Sequence, residues 1–357
     1  MTPDCASIAV EEKRHSQGDA PRPLIDPSGW SPRRRSKSAV RERVSRERCG
    51  FLLFSFTVEN PRDGMLWRRS YVVPFVWEWN LASTTYCKYS NAMTKKPTNF
   101  LTSMQDLRLQ EACCPSSPCK QFRAGSGSHE QRIGGRESGP NERNRNAIPI
   151  KLGAQIVRKW VETSVDRVTA RNARAATETE IESNLFLFVD LYSGYCSLRS
   201  AVRSVRHTYG HVLRGCNATL IYVSIDNDEK RQPDVLMDVI FHAQVVSSTL
   251  HVPLINAFVT HRTMEGVDLA IRIALRQAHR IMKLQRFLPR ERVCVHVHAS
   301  PPCETFSRMA VARPEDQRRR MSDGRPNSTP LGRVARLHDE LASSTIALLH
   351  YYAGGPC

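Results

Sequence analysis

The residues best suited to covalent chemistry lie in VHVHASPPCETFSRM, residues 295–309. Alternating valines run into Ala-Ser, then two prolines, then Cys303. Proline fixes φ and has no backbone donor, so Pro301-Pro302 stops a strand ladder and holds the next residues on a stiff loop. A thiolate is accessible near neutral pH, attacks electron-poor carbon and departs readily. Buried structural cysteines are common, but a core strand does not stop on two prolines. Cys303 is the first candidate for a nucleophile.

Two other stretches put acids where strands would end. In NLFLFVDLYSGYCSLRS (184–200), Asp190 leaves an apolar run, Gly194 permits a tight turn, and small residues open a helix. Backbone amides at such a helix start can approach a ligand closely. In TLIYVSIDNDEKRQPDVLMD (219–238), Asp226 ends a second run. Dinucleotide-binding folds use an acid at that place to hold ribose hydroxyls. Asp238 is placed to accept from an adenine amino group. Taken singly, these aspartates also read as helix caps and turn formers. Cys294, His296 and His298 share one face of their strand. A His-x-His pair can bind metal, but packed histidines in a sheet covered on both faces are the expectation.

The elements that must position these residues alternate from 183 onward, as in an α/β layer fold with a parallel sheet. Strands are expected at 184–190, 219–226 and 292–299, and helices at 197–205, 268–287 and 334–352. A further helix is expected over about 150–180, with Ile156, Trp160, Val165 and Val168 on one face. Residues 51–112 contain apolar runs without a sustained period and stay unassigned. Residues 113–149 are rich in Gly, Ser, Pro and charge and read as a linker. Cys113, Cys114 and Cys119 invite a zinc reading, but no second ligand pair follows at finger-like spacing. Residues 1–50 are polar, proline-bearing and arginine-rich, and are expected to be disordered. Their SPRRRSK run (31–37) has the composition of a nuclear localisation signal or a phosphate-binding arm.

The chain has 357 residues, with 52 Lys and Arg against 35 Asp and Glu, a formal charge of +17. That balance favours a polyanionic partner, nucleic acid first. The 11 cysteines are odd in number and irregularly spaced, and residues 1–16 lack the apolar core of a signal peptide. No run approaches the roughly 18 apolar residues of a membrane span. A soluble, intracellular protein is expected.

DLYSGYCSL (190–198) resembles the first motif of the cytosine 5-methyltransferases, D-L-F-x-G-x-G-G, with Cys196 and Ser197 where glycines are usual. ASPPCETFSRM resembles their nucleophile motif, P-P-C-x-x-F-S. Asp226, Asp228, Lys230, Pro233 and Asp238 follow the order of a phage and protist branch. The resemblance covers residues 185–352. It implies a Rossmann-like S-adenosylmethionine-dependent fold, with Cys303 adding to carbon 6 of a cytosine swung out of DNA. Asp190, Tyr192, Gly194 and Pro301 would shape the cofactor turn, Asp226 would hold ribose and Asp238 adenine. Arg308, Arg313, Arg318, Arg319 and Arg320, in the loop after the cysteine, would contact phosphates. RNA of the tRNA type is the nearest alternative substrate, and a non-catalytic nucleic-acid binder the alternative from another class.

In this family a glutamate in a Glu-Asn-Val or Glu-Asn-Pro motif protonates the base at nitrogen 3, and it follows the helix that is here 334–352. No such tripeptide follows Cys303. The expectation is therefore an incomplete, truncated methyltransferase domain over 183–357, its sheet left with an unpaired edge.

Overall fold

The structure is a computed structural model. It describes residues 50–62, 64–69, 72–89, 96–114, 116–120, 122–123, 128–129, 147–174, 183–193, 197–237, 259–284, 287–301, 318–320, 326–330 and 332–354. Of the expected tail, residues 1–50, all but Gly50 lie outside them. No helix among the described residues is long and apolar enough to cross a membrane.

The centre is a seven-stranded mixed sheet. Its strands are β1 (Leu53–Pro61), β2 (Asn80–Thr85), β3 (Pro97–Thr102), β6 (Asn184–Leu191), β7 (Ala218–Asp226), β8 (Val235–Leu236) and β9 (Val293–Ala299). Hairpins β4 (Phe122–Arg123) with β5 (Ser128–His129), and β10 (Arg318–Arg320) with β11 (Pro326–Pro330), stand apart from it. Three expected strands are thus in place as β6, β7 and β9. The helices are α1 (Val73–Glu78), α2 (Ile150–Arg174), α3 (Ser197–Thr208), α4 (Gly210–Gly215), α5 (Val259–Ile281) and α6 (Arg333–Tyr352).

The strand order is β2-β3-β1-β9-β6-β7-β8. β6 is parallel to β7 and to β9, and β9 is parallel to β1. β3 runs antiparallel to both β1 and β2. Counted from β6, the strands β6, β7, β8, β9 and β1 stand in the order 3-2-1-4-5 of doubly wound nucleotide-binding sheets. The fifth position is filled by β1, the first strand among the described residues. The sheet thus has a circularly permuted connectivity, and three expectations change with it. Residues 51–112 supply three strands of the same sheet rather than separate small segments. The edge beyond β9 is covered by β1, β3 and β2. Residues 183–357 are not a layer of their own.

Each face of the sheet carries a core. Phe54, Phe56 and Val58 of β1, Leu185 to Leu191 at alternate positions of β6, and Val293 to Ala299 at alternate positions of β9 pack under α5 and α6. Phe186, Phe188, Tyr222 and Cys294 pack on the other face under α2 and α3, with Trp160 fully buried among them. Trp160 lies 6.0 Å from Phe186, 5.7 Å from Phe188 and 5.7 Å from His296 between ring centroids. At Gly153 an added Cβ would come within 2.7 Å of Leu198 and 2.9 Å of Ala201, so glycine lets α2 and α3 approach closely. The buried pair Arg69–Asp339 ties the front of the chain to α6.

Candidate functional site at the carboxyl edge of the sheet

β1, β6, β7 and β9 point the same way, so their carboxyl ends form one edge. In open α/β sheets ligands bind in the crevice beyond that edge, where the winding reverses. Here the reversal falls between β6 and β9. Asp190 and Tyr192 at β6, Asp226 at β7 and Pro301 after β9 are all brought to this edge. Gly194, Asp238, Cys303, Arg308 and Arg313 lie outside the described residues. Arg318, Arg319 and Arg320 form β10, paired with β11 instead of running through an open loop.

The edge also carries residues that the sequence reading did not assign. Glu59-Asn60-Pro61 ends β1, directly beside the turn that leaves β9. Asn60 is fully buried, and its Nδ2 donates to the Pro301 carbonyl at 3.4 Å. Its Oδ1, also buried, has no hydrogen-bond partner among the described residues. The end of β1 and Pro301 after β9 are therefore joined by a hydrogen bond. The tripeptide Glu-Asn-Pro thus stands at residues 59–61, before Cys303, where the sequence reading looked only after it.

Glu59 is held from several sides. Tyr86 Oη donates to its Oε1 at 3.0 Å, and Lys96 Nζ lies 3.4 Å from the same oxygen. Burial pushes this carboxyl up, but Lys96 first, then His298 and the hydrogen bonds from Tyr86 and Ser300, outweigh burial and hold it below the usual range. A charged acid at this depth persists because its counter-charge and donors are built in.

Behind Glu59 runs a buried chain of hydrogen bonds. Ser55 Oγ meets His296 Nδ1 at 2.8 Å, and His296 Nε2 meets Thr57 Oγ1 at 3.0 Å. Thr57 Oγ1 meets His298 Nδ1 at 2.8 Å, and His298 Nε2 meets Ser300 Oγ at 3.1 Å. One assignment satisfies every member. Ser55 donates to His296, whose Nε2–H donates to Thr57; Thr57 donates to His298, whose Nε2–H donates to Ser300; Ser300 donates to Glu59. Burial lowers both histidines, His298 to about 4 and His296 well below its ordinary value, so both rings are neutral as this assignment needs. Five aligned dipoles then point at the carboxylate, and such chains polarise cooperatively. The His-x-His pair is thus a packed, fully bonded support for Glu59.

On the other side, Asp190 is buried and accepts from Tyr222 Oη at 2.7 Å. Burial is the main cause that raises its carboxyl to about 7. Tyr192 takes a left-handed backbone, φ 58°, and its hydroxyl meets Thr345 Oγ1 of α6 at 2.9 Å. Positive φ in a bulky residue is strained, and here it turns the chain sharply out of β6. Asp226 Oδ1 accepts from the Asp228 amide at 2.9 Å, which closes the turn after β7. Asp228 in turn accepts from the Lys230 amide and pairs with Arg231, so it serves the turn itself.

Comparison of the chain with protein-family models, with curated proteins and with solved structures finds no match in any of the three.

Proposed function

We propose that the protein methylates carbon 5 of cytosine in DNA, with Cys303 as nucleophile and Glu59 as the residue that engages the ring at nitrogen 3. The observation that carries this reading is the meeting of two motifs. Glu59-Asn60-Pro61 and Ser300-Pro301 leave adjacent parallel strands, and Asn60 donates to the Pro301 carbonyl. A chain that kept these motifs for other reasons would have no cause to bring them together from opposite ends of its sequence.

The chemistry asks for this pairing. Cytosine carbon 5 is a weak nucleophile. The Cys303 thiolate adds at carbon 6 and pushes electron density onto carbon 5, which takes the methyl group. A base then removes the carbon 5 proton, and the thiolate leaves. Addition at carbon 6 builds negative charge toward nitrogen 3, and an acid there lowers the barrier. In the protein without substrate Glu59 is a carboxylate, so it would take up one proton from solvent as the base enters, give it to nitrogen 3 as the thiolate adds, and take it back as the thiolate leaves. Its supporting hydrogen bonds fix the carboxylate plane, as a preorganised site requires.

S-adenosylmethionine, when bound, supplies the electrophilic methyl group. The residues at the β6 and β7 ends fit it in kind. An acid, Asp226, stands at the strand tip that holds ribose in such sheets. The left-handed turn at Tyr192 leads the chain out of β6 at the same edge. Asp190, buried beneath that turn, would shape it from within. The chain's net charge of +17 suits a phosphate backbone.

The test is covalent trapping on duplex DNA containing 5-fluorocytosine, with S-adenosylmethionine present. Fluorine cannot leave as a proton does, so the thiolate stays attached. An adduct that survives denaturation and is lost in Cys303→Ser supports the reading, and Glu59→Gln should slow its formation at least tenfold. A salt-sensitive, fully reversible shift without adduct would make the protein a binder instead. Trapping on RNA alone would move the substrate class.

A further inference from the structure

A second cluster lies just past the end of the outer strand β2, at the same edge of the sheet and two strands along from β1. Cys87 follows β2, while Cys113 and Cys119 belong to the segment after β3. Their three sulfur atoms lie within 4.8 Å of one another. All three side chains are buried, at 4%, 4% and 9% exposure, and form a small cluster of their own. The segment that brings them together is itself tied to β2, the edge strand. Thr84 Oγ1 donates to the Gln110 carbonyl at 2.7 Å, and the Cys113 amide donates to Thr85 Oγ1 at 2.8 Å. Paired backbone bonds between Cys114 and Ser117, at 3.2 and 3.1 Å, fold the chain back so that Cys119 returns beside Cys113. The Cys119 amide then points at Cys113 Sγ, 3.3 Å away.

We propose that Cys87, Cys113 and Cys119 bind one zinc ion, which fastens the 104–119 segment to the edge of the sheet. Zinc–thiolate bonds of about 2.3 Å place tetrahedral sulfurs roughly 3.8 Å apart, a small contraction from the observed cluster. The N–H directed at Cys113 Sγ is the kind of hydrogen bond that a metal-bound thiolate accepts. Lys88 Nζ, bonded to Ser117 Oγ at 2.8 Å, supplies a positive charge beside the turn that carries Cys119. That charge offsets the net negative charge of one zinc with three thiolates. The fourth tetrahedral position falls to water or to one more donor. Three buried thiols crowded together gain little from apolar packing that alanine or valine would not give. A thiophilic cation explains why all three are cysteine. The residues expected to form a plain linker from 113 onward thus begin as a stapled edge cover.

Each thiol must lose its proton to bind. Burial pushes Cys87 up to about 12 and raises Cys113 as well, so zinc affinity should fall steeply as pH drops.

The full chain, purified in reductant without chelator, should carry one zinc per polypeptide by elemental analysis. Cys87→Ser and Cys113→Ser should lose it. Cys114→Ser should keep it, because that sulfur lies outside the triad. A cysteine variant can fail to fold for other reasons, so the wild-type chain is also stripped and titrated with cobalt(II). Tetrahedral visible bands with thiolate charge transfer, saturating at one equivalent, are the expected result. A folded wild-type chain that takes up neither metal overturns the proposal. So does a disulfide among these three residues in freshly purified protein, or metal loss in Cys114→Ser equal to that in Cys113→Ser. None of these readouts depends on methyl transfer, so the two proposals fail separately.

Discussion

Asp190→Asn should remove a pH-dependent weakness from the fold. The carboxyl is buried, and its pKa rises from 3.8 to about 7, through burial first and the repulsion of Asp226 and Asp234, against the pull of Tyr222 and Arg199. Below the unfolded value both states hold the proton and nothing is lost. Between roughly pH 4 and 7 the folded chain keeps a proton that the unfolded chain has released, so stability falls as pH rises. Above about pH 7 both states are ionised and the penalty is fully present. Three units at about 1.4 kcal/mol each set a ceiling of about 4 kcal/mol. Asparagine cannot ionise but still offers Tyr222 an acceptor. Urea unfolding of both proteins, without added ligand, should show their difference growing by up to about 1.4 kcal/mol per pH unit between about pH 5 and 7, then levelling. His296 and His298 titrate in both proteins and cancel in the difference. A difference that stays flat across this range would refute the reasoning, because Asp190 would then be ionised in the fold.

Three other outcomes rest on the same contacts. Lys96→Met leaves burial as the main influence on Glu59 and should raise its carboxyl; the limb of the trapping rate on which Glu59 loses its proton should move to higher pH, whereas a purely structural Lys96 would leave that limb in place. Arg69→Met strands a buried Asp339 and should cost about 3–5 kcal/mol in urea unfolding, part of it recovered by adding Asp339→Leu. A rearranged gene, opened between residues 131 and 146 and joined from Cys357 to Gly50 by a short linker, should give a folded protein with the wild-type circular dichroism spectrum. The Phe54 and Tyr352 rings already lie 5.0 Å apart, so the new connection is short; a chain that aggregates in this form, with several linker lengths, would count against the permuted order of strands.

The sequence alone determined the parts whose signal is local. β6, β7 and β9 and the helices α2, α3 and α6 were legible because a buried strand or an amphipathic stripe is written in consecutive residues. The Pro-Pro stop after β9 was legible for the same reason. β1 was not. Its outward-looking set, Ser55, Thr57 and Glu59, is as buried as its apolar set, because it lies between two strands with helices on both faces. A strand of that kind shows no alternation between wet and dry positions. Glu59-Asn60-Pro61 stood in the sequence throughout, but its meaning depends on which strand lies beside it. Nothing in residues 51–61 says that β1 will pair with a strand more than two hundred residues later in the chain. Cys87 joins Cys113 and Cys119 for a comparable reason: β2 and the segment after β3 meet only when the edge of the sheet forms. Pairing between distant strands is decided by shape and burial in the assembled core, and only the tertiary structure brings those terms into play.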